Sequence, residues 1–192
     1  MPLPSIDTRL TTPRLTLRAP TDSDAARIHE CCAPRDMARM MLRVPHPYPA
    51  GAALEFVRGA RSRWEKGEGC TFMCEEHEGG RVVACAGLEV TPEHQHAELG
   101  YWVAMECWGE GYATEASRAV VAFGFEQLGL RRIHAGHYAH NPASGRVLAK
   151  IGFRHEGLRP RHIRRLDEFV DLVLMGMLRE DWDAARQEGR DH

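Results

Sequence analysis

The sequence predicts a single α/β domain: a mixed, mostly antiparallel sheet with helices on both faces. Three observations carry this. Hydrophobic periodicity is helical over the early segments, alternates over residues 70–104, and then switches between helix and strand after 109. At 192 residues, 43% hydrophobic and 27% charged, the chain can bury one proper core without disulfide or metal staples. No linker, repeat or low-complexity tract divides it.

Each element follows from a local signal. "RLTLRAP" (14–20) alternates Leu15 and Leu17 with polar partners and reads as a strand. Thr21 or Asp22 can cap a first helix in "TDSDAARIHECC", whose first turn is acidic. Prolines 34, 45, 47 and 49 leave room for a short helix around 35–42 and then a loop. Leu54, Val57, Ala60 or Arg61, and Trp64 recur at helical spacing until Gly67. "CTFMCEEH" (70–77) and "RVVACAGLEV" (81–90), joined across "EGG", form a hairpin, and "HAELGYWVA" (96–104) is a third strand. Residues 109–129 predict a helix with Tyr112, Ala116, Ala119, Val120, Phe123 and Leu128 on one face and Gly129 at its end. After the strand "RRIHAGHYA", Asn141 caps a short helix with Pro142 in its first turn and Gly152 past its end. "GFRHEGLRP" and "EFVDLVLMGML" add two strands, and a charged tail helix closes the chain.

Composition excludes several classes. A net charge of −2 argues against a dedicated nucleic-acid binder. The sole basic run, "RPRHIRR" (159–165), has no interleaved aromatics; it reads as a solvated loop, a docking site for an acidic partner, or a rim for phosphate. No apolar run approaches the roughly 18–20 residues of a membrane span, and "MPLPSIDTRL" lacks an apolar signal core, so the expected setting is cytoplasmic, away from membranes. The six cysteines, at 31, 32, 70, 74, 85 and 107, show no framework and read as buried reduced thiols, Cys70 and Cys74 sharing one strand face. His134, His137 and His140 suggest a metal cluster, but on a strand His137 faces away from the other two. His94 and His96 fall in a polar turn. No metal is expected.

The stretch "CWGEGYATEA" (107–116) raises a different question, because two glycines precede a helix. Glycine is costly to order, and a glycine-rich turn at a helix N-terminus aims free N–H groups and the helix dipole at an anion such as phosphate. The Lys-Ser/Thr pair of a nucleotide P-loop is missing, as is the third glycine of a dinucleotide fingerprint.

The segment "AELGYWVAMECWGEGYATEA" resembles the GNAT acyltransferase superfamily, whose pattern Gln/Arg-x-x-Gly-x-Gly/Ala is matched by Trp108-Gly109-Glu110-Gly111-Tyr112-Ala113 except at its first position. "NPASGRVLAKIGFRHEG" (141–157) is similar to the second signature, Asn-x-x-Ser followed by Gly-Phe and Glu-Gly. With "ELGYW" before and "YATEA" after, the resemblance is to the ribosomal-protein N-terminal acetyltransferase (Rim-type) subgroup, over a domain at 9–182 with terminal extensions 1–8 and 183–192.

The resemblance implies acetyl-CoA as cosubstrate, a primary amine as acceptor (a protein N-terminus or a small molecule), direct attack in a ternary complex, and a homodimer. Backbone N–H groups across Gly109, Glu110, Gly111, Tyr112, Ala113 and Thr114 would hold the diphosphate. Trp108 replaces the usual Gln or Arg, removing that side chain's contact and leaving the backbone ones. Glu110 and Glu115 would repel phosphate and are expected to point outward, Glu115 toward Arg118. Glu98 is the implied general base and Ser144 the implied hydrogen-bond donor to the departing thiolate. The tyrosine that many relatives carry four residues later is here Leu148. Asn141 caps its helix and, by the resemblance, contacts the pantetheine arm. The N–H near Val103 and Ala104 is the expected partner of the thioester carbonyl. The acceptor walls are expected from the early helices and the loop at 159–168. The rival class is a non-catalytic acyl-CoA-binding sensor or scaffold; Glu98 and Ser144 beside an intact loop favour the enzyme.

Overall fold

Leu15 and Leu17 are fully buried, which fixes the inward face of β2 (Leu15–Arg18) and pairs it with the short β1 (Leu10–Thr11). The computed structural model describes residues 3–188. Past β2, Thr21 opens a 3₁₀ turn in which its N–H donates to Asp24 Oδ2 at 2.7 Å, and α1 (Ala25–Cys32) follows. α2 (Arg35–Met40) and α3 (Ala52–Lys66) come next; Gly67 ends α3 in the left-handed conformation at φ 78°, returning its N–H to Arg63 and Trp64. The hairpin appears as β3 (Gly69–Glu76) and β4 (Val82–Thr91), then β5 (His96–Val103). The remaining elements are α4 (Tyr112–Glu126), β6 (Arg132–Tyr138), α5 (Pro142–Lys150), β7 (Arg154–Arg165), β8 (Glu168–Leu178) and α6 (Arg179–Glu188).

All eight strands join one sheet in the order β1-β2-β3-β4-β5-β6-β8-β7, and every neighbouring pair is antiparallel except β5–β6. The crossover from β5 through α4 to β6, and the next through α5 to β7, are both right-handed by the usual rule, which puts α4 and α5 side by side on one face. Gly124 lets α4 close on the sheet: a Cβ there would come within 2.8 Å of Leu88 Cδ1 and 2.9 Å of Ile133 Cδ1. Phe72 on β3 meets Trp64 of α3 and Phe123 of α4 edge to face, with ring centroids 5.0 and 5.4 Å apart. All six cysteines are buried and free; burial pushes the Cys70 and Cys74 thiols up to about 12, which leaves them unreactive.

Two expectations change. The helix predicted over 109–129 is shorter, because Gly109 (φ 86°) and Gly111 (φ 89°) are left-handed and helical hydrogen bonding begins after them. At its other end α4 stops at Glu126, and Gly129 turns the chain at φ 63°. The basic run 159–165 is not a loop: it is the far half of β7, bulged between Arg159 and Ile163 and paired to β8. Residues 3–8 run along the domain, with Leu3 and Ile6 packed on its core and Pro4 accepting a 2.8 Å hydrogen bond from Trp64 Nε1.

One irregularity in the sheet positions everything that follows. β5 pairs with β6 only from His96 to Glu98, opposite Arg132 to His134, although β5 runs on to Val103 and β6 to Tyr138. The two parallel strands therefore part in the middle of the sheet. β4 still holds β5 throughout, and β8 still holds β6.

Candidate active site

Antiparallel pairing decides which backbone groups face this gap. Ala104 N–H donates to Val83 O at 2.8 Å, and in an antiparallel ladder such bonds alternate, so the N–H and C=O of Val103 point away from β4 into the gap. Of the two amides expected to meet a thioester carbonyl, Ala104 is thus committed to β4 and Val103 is open. Trp108, in the place of the usual Gln or Arg, folds back and donates from Nε1 to Val103 O at 2.8 Å, leaving its ring 45% exposed at the mouth of the gap.

The glycine turn lies just beyond. Among the described residues none of the N–H groups from Gly109 to Thr114 has an acceptor; the first bond of α4 is Glu115 N–H to Gly111 O. A Cβ at Gly109 would meet nothing within 4 Å, so space stands open over these amides. That combination of free donors, open space and the positive end of a 15-residue helix fits a diphosphate. Glu110 is exposed, but Glu115 does not point outward and does not pair with Arg118. It turns back to the β1–β2 turn, taking hydrogen bonds from Thr12 Oγ1 (2.6 Å), Arg14 N (2.9 Å) and Arg14 Nε (2.7 Å). Burial pushes its carboxyl up, and these partners outweigh that and hold it below the usual range, so its charge is spent on Arg14. Arg14 also reaches Glu110 O at 3.1 Å and lies over the Tyr112 ring, bracing the glycine turn from the β1–β2 turn nearly a hundred residues away.

On the α4–α5 face, Asn141 Oδ1 accepts from Ser144 N at 3.2 Å and caps α5 as the sequence predicts. The Ser144 hydroxyl is 2.7 Å from the hydroxyl of Tyr101, which also approaches Ser144 O at 3.2 Å. Tyr101 shares its face with Leu99, whose register partner Leu88 packs on α4. Burial pushes the Tyr101 phenol up to about 12, so it stays a neutral donor. The tyrosine position four residues after Ser144 is filled by fully buried Leu148; the phenol arrives from β5 instead. Sequence reasoning missed Tyr101, although alternation from Leu99 already places it on the Ser144 side.

Glu98 projects to the opposite face. It is one-third exposed and forms an ion pair with Arg43, from the segment after α2, at 2.7 Å. Arg43 also bonds Glu89, the register partner of Glu98 on β4, and so separates two carboxylates that would otherwise repel. Nothing in the local sequence signals Arg43, which stands among prolines in an irregular segment. Where α2 meets the β7–β8 turn, a cavity of about 520 Å³ is lined by Arg35, Arg39, His140, Arg165 and Glu168, the region from which acceptor walls were expected. Neither Glu98 nor Ser144 lines it. His137 bonds Tyr138 O and His140 bonds Arg39 O, and among the described residues no three potential metal ligands converge.

A sheet split between two parallel strands, an amide cradle at a helix N-terminus, and polar groups on both faces of the split define an acyltransferase architecture. Residues 14–154 match the Acetyltransferase (GNAT) domain family, and the chain belongs to that family of N-acetyltransferases. It is 31% identical over 150 residues to the uncharacterized N-acetyltransferase YoaA of Bacillus subtilis, covering 78% of this chain and 84% of that one. It is 28% identical over 186 residues to the [ribosomal protein uS5]-alanine N-acetyltransferase of Escherichia coli, covering 93% and 94%. The fold superposes on Mycobacterium smegmatis RimJ, solved with CoA-disulfide, with a TM-score of 0.79 at 23% identity over 90% or more of each chain (93% and 95%). No helix among the described residues is long and apolar enough to cross a membrane.

Proposed function

We propose that this protein transfers the acetyl group of acetyl-CoA to a primary amine, with a protein N-terminus as the favoured acceptor, by direct attack in a ternary complex. The observation that carries the reading is the split between β5 and β6, with Glu98 on one face and the Tyr101–Ser144 pair on the other. Acetyl-CoA supplies the activated thioester; its diphosphate would rest on the amides of Gly109–Thr114, and Asn141 would meet the pantetheine arm. Glu98 takes a proton from the amine after leaving Arg43. The Val103 N–H donates to the carbonyl oxygen as the N–C bond forms, an interaction worth a few kcal/mol when aligned. The Ser144 and Tyr101 hydroxyls hydrogen-bond the sulfur as the C–S bond breaks. Alignment across the split supplies much of the rate.

A protein acceptor is favoured because a relative spanning nearly the whole chain is a ribosomal protein uS5-alanine N-acetyltransferase, and such an acceptor would also place the reaction in the cytoplasm. The β7–β8 arm exposes Leu158 (50%) and Phe169 (64%), supporting a homodimer through this edge. Thiol release from acetyl-CoA, measured against N-terminal peptides and small amines, tests the reaction; tight coenzyme binding without release to any amine would identify a binding module instead. A monomer mass by sedimentation at micromolar concentration would end the dimer assignment.

A further inference from the structure

Glu98 and His134 are register partners on β5 and β6, the last rung before the strands part. Adjacent strands lie about 4.8 Å apart, and paired residues project to the same face, so the imidazole and the carboxylate share one face without forming a direct ion pair among the described residues. The His134 ring is 5.2 Å from that of His96, whose Nδ1 is buried without a hydrogen-bond partner, and His96 stacks 5.9 Å from exposed His94. Around the pair stand Arg43 from the segment after α2 and Glu89 from β4, beside Glu98, with Arg132 on β6 and Glu156 on β7 beside His134. Two guanidiniums thus face three carboxylates, and a protonated imidazole would balance the remaining charge.

We infer that His134 receives the proton that Glu98 removes from the acceptor, so that carboxylate and imidazole act as a relay. The inference rests on the proposed acetyl transfer. An acceptor arriving as an ammonium loses two protons on becoming an amide. One joins the thiolate released when the C–S bond breaks; the other passes from Glu98 through a bridging water to His134 and on to solvent. Burial pulls His134 below its usual value while Glu98 draws it back up, leaving the ring neutral and ready to accept at pH 7.

The experiment compares the pH dependence of kcat/KM for the wild-type enzyme and H134Q with one amine, after circular dichroism confirms the fold. H134Q should lose about tenfold at pH 7, less than removal of the base itself costs, and its acid limb should move down by more than about one pH unit because the group that must be neutral is gone. A wild-type acid limb in H134Q, or turnover within about twofold, overturns the relay. An NMR titration provides a readout independent of turnover: in E98Q the His134 imidazole midpoint should fall by at least about 0.3 unit as the neighbouring carboxylate is lost, and an unchanged midpoint also overturns the pairing. If the wild-type protein acetylates no amine, the proposed function fails, and the titration still decides whether the two residues are coupled.

Discussion

The Tyr101 hydroxyl lies 2.7 Å from Ser144 Oγ, tying the free side of β5 to the first turn of α5 across the split sheet. Replacing Tyr101 with Phe removes the hydrogen bond its hydroxyl would make to the departing sulfur, worth about 1 kcal/mol, or roughly fivefold. Turnover of Y101F should fall by about that factor, with coenzyme affinity held. If the two hydroxyls act together on the sulfur, the loss from Ser144→Ala should be smaller in the Y101F background than alone. A double-mutant cycle on kcat checks this, and strict additivity would separate them.

Glu98→Gln keeps size and hydrogen bonding but removes the basic group. Turnover should fall about 10²–10⁴-fold, the usual range for general-base catalysis, while acetyl-CoA affinity hardly moves. The deficit should shrink at high pH, where more of the amine is already neutral. The broken pair with Arg43 is solvent-exposed and should cost little stability. A turnover ratio near one at pH 7 removes Glu98 from the mechanism.

Gly111 and Gly129 are both left-handed, at φ 89° and 63°, but only Gly111 belongs to the amide cradle. Alanine at either position should cost about 1–2 kcal/mol of backbone strain. Calorimetry should show weakened acetyl-CoA binding in G111A alone, with G129A matching it in lost thermal stability. Equal coenzyme affinity in both variants would dissociate the turn from the diphosphate.

Asp24, 5% exposed, accepts two 2.9 Å hydrogen bonds from Arg18 and one from Thr21 N–H. Burial pushes its carboxyl up, and these partners outweigh burial and hold it below the usual value. A depressed carboxylate contributes stability above its unfolded pKa of about 3.9 and loses it as pH falls through the folded value. Asp24→Asn should therefore cost about 1–3 kcal/mol at pH 7, and the gap between wild type and variant should begin to narrow below roughly pH 4 and close only below the depressed folded value. Urea melts at pH 7 and pH 3 measure both, and a constant gap would contradict the linkage.

What the sequence discloses here is local. Leu15 and Leu17 alternate, Asn141 caps, Gly67 stops a helix, and each signal lies within a few residues of its effect. The glycine turn before α4 was legible for the same reason. Arg14, Tyr101 and Arg43 were not, because their partners Glu115, Ser144 and Glu98 are 101, 43 and 55 residues away. His134 was visible as a histidine but grouped with His137 and His140, since sequence spacing cannot show that β6 lies beside β5. The far half of β7 was hidden by its charge: an edge strand needs apolar residues on one face at most, and arginines suit the other.

The partial pairing of β5 with β6 leaves one strand with two unlike sets of amides. Those of Gly100 and Trp102 point to β4 and are locked in its ladder, whereas those of Tyr101 and Val103 point into the split. Deuterium uptake along β5 should therefore alternate residue by residue, slow then fast, within a segment that is otherwise core. Acetyl-CoA lying along the split should flatten that comb, so the donor would complete the sheet as an extra strand does.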